Sequence, residues 1–232
     1  MPEPHFTNYH THTARCHHAT GEDKAYVEAA IQNGFQVLGF SDHCPWIFSD
    51  GYVSPIRMTP DELDGYVTSL TALKKEYAAD ITIYIGLESE YVPKMLPEQQ
   101  KFLQDYPIDY QILGEQFLYP EQRGIYTGRP TDDAAELKHY VDQVIAGMET
   151  GNYLYLAHPD LFHFIGDPAL YEQEFRRLCV YLKEKQIPIE INQLGLADHR
   201  QYPNPAFLKI AESVGNTAII GCDAHHPSAL LD

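Results

Sequence analysis

Asn8-Tyr9-His10-Thr11-His12 closes the first short apolar run of the chain, and the later runs close in the same way. The candidate strands are residues 5–9, 36–41, 81–87, 108–113, 153–157, 187–191 and 217–221. Their ends carry Ser41-Asp42-His43, Gly86-Leu87-Glu88, Gly114-Glu115-Gln116, Ala157-His158-Pro159, Glu190-Ile191-Asn192 and Cys222-Asp223-Ala224-His225. Helix-like segments lie between them, near 22–33, 60–79, 97–104, 132–150, 168–186 and 204–214. Alternation of this kind means parallel strands with crossover helices. Seven units suit a barrel or a doubly wound sheet. In a barrel all the strand ends converge on one face, where active sites form. An open sheet would spread them along an edge, so the polar strand ends favour the barrel.

The clearest helix is the second. Thr59 can cap it, Pro60 suits its first turn and Glu62 completes a capping box. Leu63, Tyr66, Val67, Leu70, Leu73 and Tyr77 then recur at helical spacing. No repeat, low-complexity tract or Gly/Ser linker interrupts the 232 residues, which are read as one domain over 1–232. Lys and Arg total 16 against 33 Asp and Glu, a formal charge of −17. That balance argues against a nucleic-acid or anionic-membrane binder. It leaves room for an anionic substrate, because bound metals reverse the local field. No apolar run approaches the roughly 20 residues of a membrane span. Met1-Pro2-Glu3-Pro4 has neither the basic nor the apolar region of a signal peptide. Four cysteines do not make a disulfide framework in a chain of this size. A reduced, cytoplasmic protein is expected.

The chain has 12 histidines. On a strand, His10 and His12 point to the same side and can reach one ion. A lone histidine is ordinarily a satisfied structural residue. That explanation weakens when H-x-H, D-H, H-P and D-x-H motifs all sit at strand ends. Imidazoles with carboxylates suit Zn, Fe or Mn. Glu88 is the carboxylate at the end of the third strand, with Glu90 two residues on; it can bridge two ions or pair with a loop cation. Asp42 is expected to orient His43 from behind rather than bind metal. Cys16, Cys44 and Cys222 adjoin candidate ligands and read as small packing residues, since no phosphate-cradling Gly-rich loop accompanies them.

These motifs together resemble the PHP family, named for polymerase and histidinol phosphatase, and most closely its histidinol-phosphate phosphatase branch. The resemblance is carried by Tyr9-His10-Thr11-His12-Thr13, Gly39-Phe40-Ser41-Asp42-His43, Gly86-Leu87-Glu88-Ser89-Glu90-Tyr91, Ala157-His158-Pro159-Asp160-Leu161, Ile189-Glu190-Ile191-Asn192 and Asp223-Ala224-His225. Arg57-Met58-Thr59 also looks like this branch. The resemblance implies a distorted (βα)7 TIM-like barrel with two or three divalent transition-metal ions. One ion would take His10, His12, Glu88 and Asp223. A second would share Glu88 and take His158. A third would take His18, His43 and His225. Two departures stand out. Gln116 occupies a position where the family usually has His, leaving a neutral carbonyl oxygen or the neighbouring Glu115 to complete the second ion. Only His226 to Asp232 follow the D-x-H motif, where the family continues through a last helix.

Adjacent metals acidify a bridging water to a hydroxide, place it in line and neutralise phosphoryl charge. The implied activity is hydrolysis of L-histidinol phosphate in histidine biosynthesis, with Glu88, Asp223 and His225 as catalytic residues. Arg15, Arg57 and Arg200 are candidates for the phosphate, each with a surface ion pair as its alternative. Glu115, Glu90 or Asp160 could face the substrate amine, and Asn192 is a further binding candidate. Other readings are a PHP phosphoesterase for another small phosphate ester, or a metal-binding regulatory domain without catalysis.

Overall fold

In the computed structural model, residues 6–230 are described. His5, the first residue of the expected opening strand, lies outside them, as do Met1-Pro2-Glu3-Pro4. The strands are β1 (Phe6–Asn8), β2 (Phe35–His43), β3 (Thr82–Ser89), β4 (Tyr110–Leu113), β5 (Ile189–Asn192) and β6 (Ala218–Gly221). The helices are α1 (Asp23–Gln32), α2 (Leu63–Glu76), α3 (Leu96–Leu103), α4 (Ala134–Glu149), α5 (Pro168–Glu184), α6 (Gln193–Ala197) and α7 (Pro205–Val214). No helix among the described residues is long and apolar enough to cross a membrane. The chain folds as two compact units: residues 1–88, 93–111 and 221–232, and residues 89–92 and 112–220.

The first unit holds a sheet of order β1-β2-β3-β4, with β1–β2 and β2–β3 parallel. Its core is Leu38 and Phe40 of β2, Ile83, Ile85 and Leu87 of β3, Tyr26, Val27 and Ala30 of α1, and Leu63, Tyr66 and Leu70 of α2. The expected helix over 60–79 is divided. Pro60–Glu62 form a tight 3₁₀ turn, and the α-helix starts at Leu63. The capping box is present: the Glu62 carboxylate accepts the Thr59 backbone N–H at 2.7 Å and the Thr59 hydroxyl at 2.9 Å. Tyr110 lies across β2 and β3, its hydroxyl donating to the carbonyls of Tyr9 (2.7 Å) and Phe40 (3.0 Å). A Cβ on Gly39 would strike the Tyr110 hydroxyl, and one on Gly86 would strike its ring. Only glycine leaves room for that side chain at both places. Pro227–Leu230 make a 3₁₀ turn that sends Leu230 into this core.

In the second unit the expected strand 153–157 is reduced to one paired residue. Leu156 bridges Leu113 and Ile189, both in parallel. The ladder stops because His158 turns the backbone to φ 27°. Its core joins Leu137, Tyr140, Val141 and Val144 of α4 to Phe175, Leu178 and Leu182 of α5 and Phe207 and Ile210 of α7. Asp133, Asp167 and Asn204 cap α4, α5 and α7 with side-chain acceptors.

Candidate metal centre

In the first unit the site begins at Asn8. Its Oδ1 accepts the N–H groups of His10 (3.1 Å) and Cys222 (2.9 Å), and its Nδ2 donates to the His10 carbonyl (3.1 Å) and Thr11 Oγ1 (2.7 Å). One buried amide thus joins the ends of β1 and β6. Thr11 bridges Ala224 in parallel, and the His12 N–H donates to the Ala224 carbonyl at 2.9 Å. Asp223, at φ 51°, and His225 are thereby set beside the H-x-H pair. The β2–β3 register places His43 opposite Glu88.

The donor atoms crowd together. Glu88 Oε2 lies 3.6 Å from His10 Nε2, 3.6 Å from His12 Nε2 and 3.1 Å from His43 Nδ1. Asp223 Oδ1 lies 3.4 Å from His10 Nε2 and 3.0 Å from His12 Nε2. His10, His12, His43, Glu88 and Asp223 are all buried. The donors of His10, His12 and Glu88 lie within 4.8 Å of one another, as do those of His18, His43 and His225.

These residues fit metal ions. His18 Nδ1 is 2.7 Å from the Cys16 carbonyl, and His225 Nδ1 is 2.9 Å from the Asp223 carbonyl. A carbonyl only accepts, so each Nδ1 carries the hydrogen and each Nε2 presents a lone pair. Yet the two Nε2 atoms are 3.0 Å apart. Two lone pairs at that range repel unless a cation lies between them. Nitrogens on one tetrahedral zinc, with bonds of about 2.0–2.1 Å, lie about 3.3 Å apart. His12 Nε2 and His43 Nδ1 are likewise buried without a hydrogen bond. Burial opposes charge on His12 and His18, but Asp223 and Asp42 raise the pKa of the first and Cys16 raises that of the second. Burial holds the His43 pKa well below its usual value, and burial and His12 lower that of His225 to about 4. Both rings are thus neutral donors. Burial opposes charge on Asp223, but His10 and His12 outweigh it and keep its pKa well below the usual range.

In the second unit His158 Nε2 is 3.5 Å from Gln116 Nε2. The His158 N–H donates to Glu190 Oε2 at 2.9 Å. Asn192 Nδ2 donates to the same oxygen at 2.9 Å, while its Oδ1 accepts the Gly195 N–H at 2.9 Å and caps α6. Asn192 and Glu190 therefore brace the His158 backbone. Glu115 accepts the Tyr91 N–H (3.0 Å) and Gln143 Nε2 (2.6 Å), and burial pushes its pKa well up. Asp160 accepts the Asn204 N–H. Glu90 is buried, and its carbonyl accepts the Tyr153 hydroxyl at 3.2 Å.

Each candidate arginine has a protein partner. Arg15 donates to Asp23 (2.9 Å) and Thr13 Oγ1 (3.2 Å). Arg57, 2% exposed, donates to the Cys44 carbonyl at 3.1 Å. Arg200 pairs with Asp198 at 2.8 Å and donates to the Tyr202 hydroxyl at 3.1 Å. All four cysteines are buried and none is disulfide-bonded. One expectation needs correcting. Asp42 does not meet the His43 ring: its Oδ1 accepts the His43 backbone N–H at 2.9 Å, and the ring it faces is that of His12, with Nδ1 at 3.3 Å. Neither Asn8 nor Thr13 was singled out from the sequence, although Asn8 stood in the quoted stretch and Thr13 in the first family motif. A buried amide and hydroxyl beside paired histidines were the available signal.

A sequence profile of the PHP domain matches residues 8–194. A Deinococcus radiodurans protein named as a probable histidinol-phosphatase is 28% identical over 94% of this chain and 85% of its own length. A Listeria monocytogenes structure proposed to be a histidinol phosphatase superposes with a TM-score of 0.76, at 21% identity over 97% of both chains. The histidinol phosphate phosphatase of Lactococcus lactis, solved with zinc, L-histidinol and phosphate, superposes with a TM-score of 0.71. It is 19% identical over 95% of this chain and 86% of its own. These likenesses establish the fold that the polar strand ends predicted.

Proposed function

The chain belongs to the PHP domain family, and on that footing we propose that it is a metal-dependent phosphomonoesterase hydrolysing L-histidinol phosphate to L-histidinol and phosphate. The observation that carries the reading is the buried set of imidazole and carboxylate donors around Glu88 and Asp223, aligned by the Asn8 amide and the Thr11–Ala224 bridge. The Lactococcus relative, solved with zinc and both products of that reaction, supports the substrate. The reading treats 1–232 as one phosphatase domain, supported by a family match over residues 8–194.

Divalent transition-metal ions, when bound, supply Lewis acidity that acidifies water toward neutrality and offsets phosphoryl charge. His10, His12, Glu88 and Asp223 hold one ion. His18, His43 and His225 hold another, and the hydrogen bonds made by Nδ1 of His18 and His225 leave their Nε2 lone pairs turned outward. Within the second unit, His158 and Gln116 are the metal-capable neighbours, their Nε2 atoms 3.5 Å apart. Two or three ions are expected, with zinc favoured by the donor set and by the Lactococcus relative. Glu88, Asp223 and His225 are the catalytic residues: the two carboxylates and the neutral His225 imidazole would hold the ions that activate water and offset phosphoryl charge. Arg57 and Arg200 remain arginine candidates for the phosphate, the first buried and donating to the Cys44 carbonyl, the second paired with Asp198.

Turnover by metal-replete protein against a panel of phosphate esters tests this. Histidinol phosphate should exceed the other esters in kcat/KM by at least about tenfold. His10→Ala and Asp223→Ala should each lower kcat by about 100-fold or more with the circular dichroism spectrum unchanged. A flat panel would mean another small ester is the substrate. Metal uptake without any turnover would mean a binding domain.

A further inference from the structure

The hydrogen bonds behind His12 form a chain whose direction is forced at every link. At one end Arg15 can only donate, and its guanidinium gives Nη1–H bonds to Asp23 Oδ1 (2.9 Å) and Thr13 Oγ1 (3.2 Å). The Arg15 backbone N–H also points at Thr13 Oγ1, at 3.4 Å. With its lone pairs facing donors, the Thr13 hydroxyl turns its one hydrogen to Asp42 Oδ2, with which it makes a very short contact. Asp42 is fully buried and can only accept; its other oxygen takes the His43 N–H (2.9 Å) and faces His12 Nδ1 (3.3 Å). The far end is braced too. Asp23 Oδ2 accepts the Ser69 hydroxyl at 2.6 Å, and the Arg15 guanidinium lies 5.7 Å from the centre of the Tyr66 ring. An acceptor-only carboxylate facing Nδ1 leaves His12 one neutral form, with the hydrogen on Nδ1 and the lone pair on Nε2. That Nε2 is the atom turned to Glu88 and Asp223.

We propose that Asp42, held by Thr13 and Arg15, is a positioning residue that locks the His12 tautomer for metal binding, and that Arg15 serves this chain rather than the substrate phosphate. The inference rests on the metal-holding role given to His12 above. It goes further in naming the residues that set the affinity of the ion there. An arginine, a hydroxyl and a carboxylate stacked in that order pass the fixed positive charge of Arg15 toward Asp42. They keep Asp42 aimed at His12 without a cation in the ion's own shell. Partners of this kind commonly set metal affinity by about 10–100-fold.

The experiment measures zinc retained under chelator competition by wild type, Asp42→Asn, Thr13→Val, Thr13→Ser and Arg15→Gln. The Tm of each zinc-free protein and steady-state kinetics at saturating zinc are measured alongside. Asn offers one acceptor where Asp42 offers two, so Asp42→Asn should weaken one zinc equivalent by about 10–100-fold. Thr13→Val and Arg15→Gln should weaken the same equivalent by a smaller factor, and Thr13→Ser should restore it. KM for histidinol phosphate should stay within about twofold in Arg15→Gln once zinc saturates. Zinc-free Tm values should fall together or not at all, without following the order of the affinities. A raised KM in Arg15→Gln with zinc affinity intact would make Arg15 a phosphate ligand and overturn the proposal. So would full zinc affinity in both Asp42→Asn and Thr13→Val. If Asp42→Asn does not fold, Thr13→Val and its serine rescue decide the matter alone. The affinities are read without substrate, so a protein that shows the expected order yet leaves histidinol phosphate intact would overturn only the phosphatase reading. Wild-type protein that takes up no zinc would overturn both.

Discussion

Asp160 is buried in the second unit, and burial raises its pKa to about 6, more than its hydrogen bond from the Asn204 N–H lowers it. A carboxyl whose pKa is higher folded than unfolded, about 3.9, holds its proton more tightly in the fold. Its contribution is therefore best at low pH and is withdrawn as the pH rises from about 4 through about 6. The loss is at most about 3 kcal/mol. In metal-free protein, Asp160→Asn keeps an acceptor for Asn204 and has no charge to bury. Wild type should lose thermal stability relative to this variant between pH 4.5 and pH 7.5; parallel Tm curves would show that Asp160 ionises without cost. Candidate metal-binding residues were legible in the sequence, because H-x-H, D-H and D-x-H at strand ends are local patterns. It did not show which ring each support would face. Asp42 precedes His43 on β2, but its carboxylate turns to His12 because the end of β1 lies beside β2. That contact is set by strand pairing, which one-dimensional spacing does not contain.

Among the elements, β2 and β3 are held by a side chain from β4. The Tyr110 hydroxyl lies over Gly39 and its ring over Gly86, so the two glycines make different demands. Gly39→Ala should destabilise by about 1–3 kcal/mol through overpacking. Tyr110→Phe alone should cost about 1 kcal/mol through its two lost hydrogen bonds. Removing the hydroxyl opens space only over Gly39, so Gly39→Ala with Tyr110→Phe should cost less than the sum. Gly86→Ala with Tyr110→Phe should be additive. Equal coupling at both glycines, by denaturant unfolding, would refute this placement. Long elements were legible from periodicity: α2, α4, α5 and α7 lie where the apolar spacing put them, within two or three residues at their ends. Residues 153–157 misled because Tyr153, Tyr155 and Leu156 have strand-forming side chains, while the backbone pairs only at Leu156 before turning at His158. The five residues of α6 were too few to show a period, although Asn192 is an ordinary helix cap.

For the whole chain, with its formal charge of −17, the buried cluster of carboxylates and imidazoles would bring any divalent cation it binds into the stability balance. An ion present at 100 times its Kd stabilises the fold by about 2.7 kcal/mol per site. For a chain of this length that corresponds to roughly 5–11 °C in Tm. Chelation should lower Tm by that order, and re-addition of zinc should restore it; an unchanged Tm would mean that no ion is held by the folded state. The bridge from Thr11 to Ala224 carries a further consequence. A ribosome adds about 5–20 residues per second. Asp223 therefore leaves it about ten to forty seconds after His10. During that interval the nascent chain displays His10, His12, His43 and Glu88 with no Asp223 or His225 to complete the set. The donor set around Glu88 is complete only once residues 221–225 reach the waiting strand.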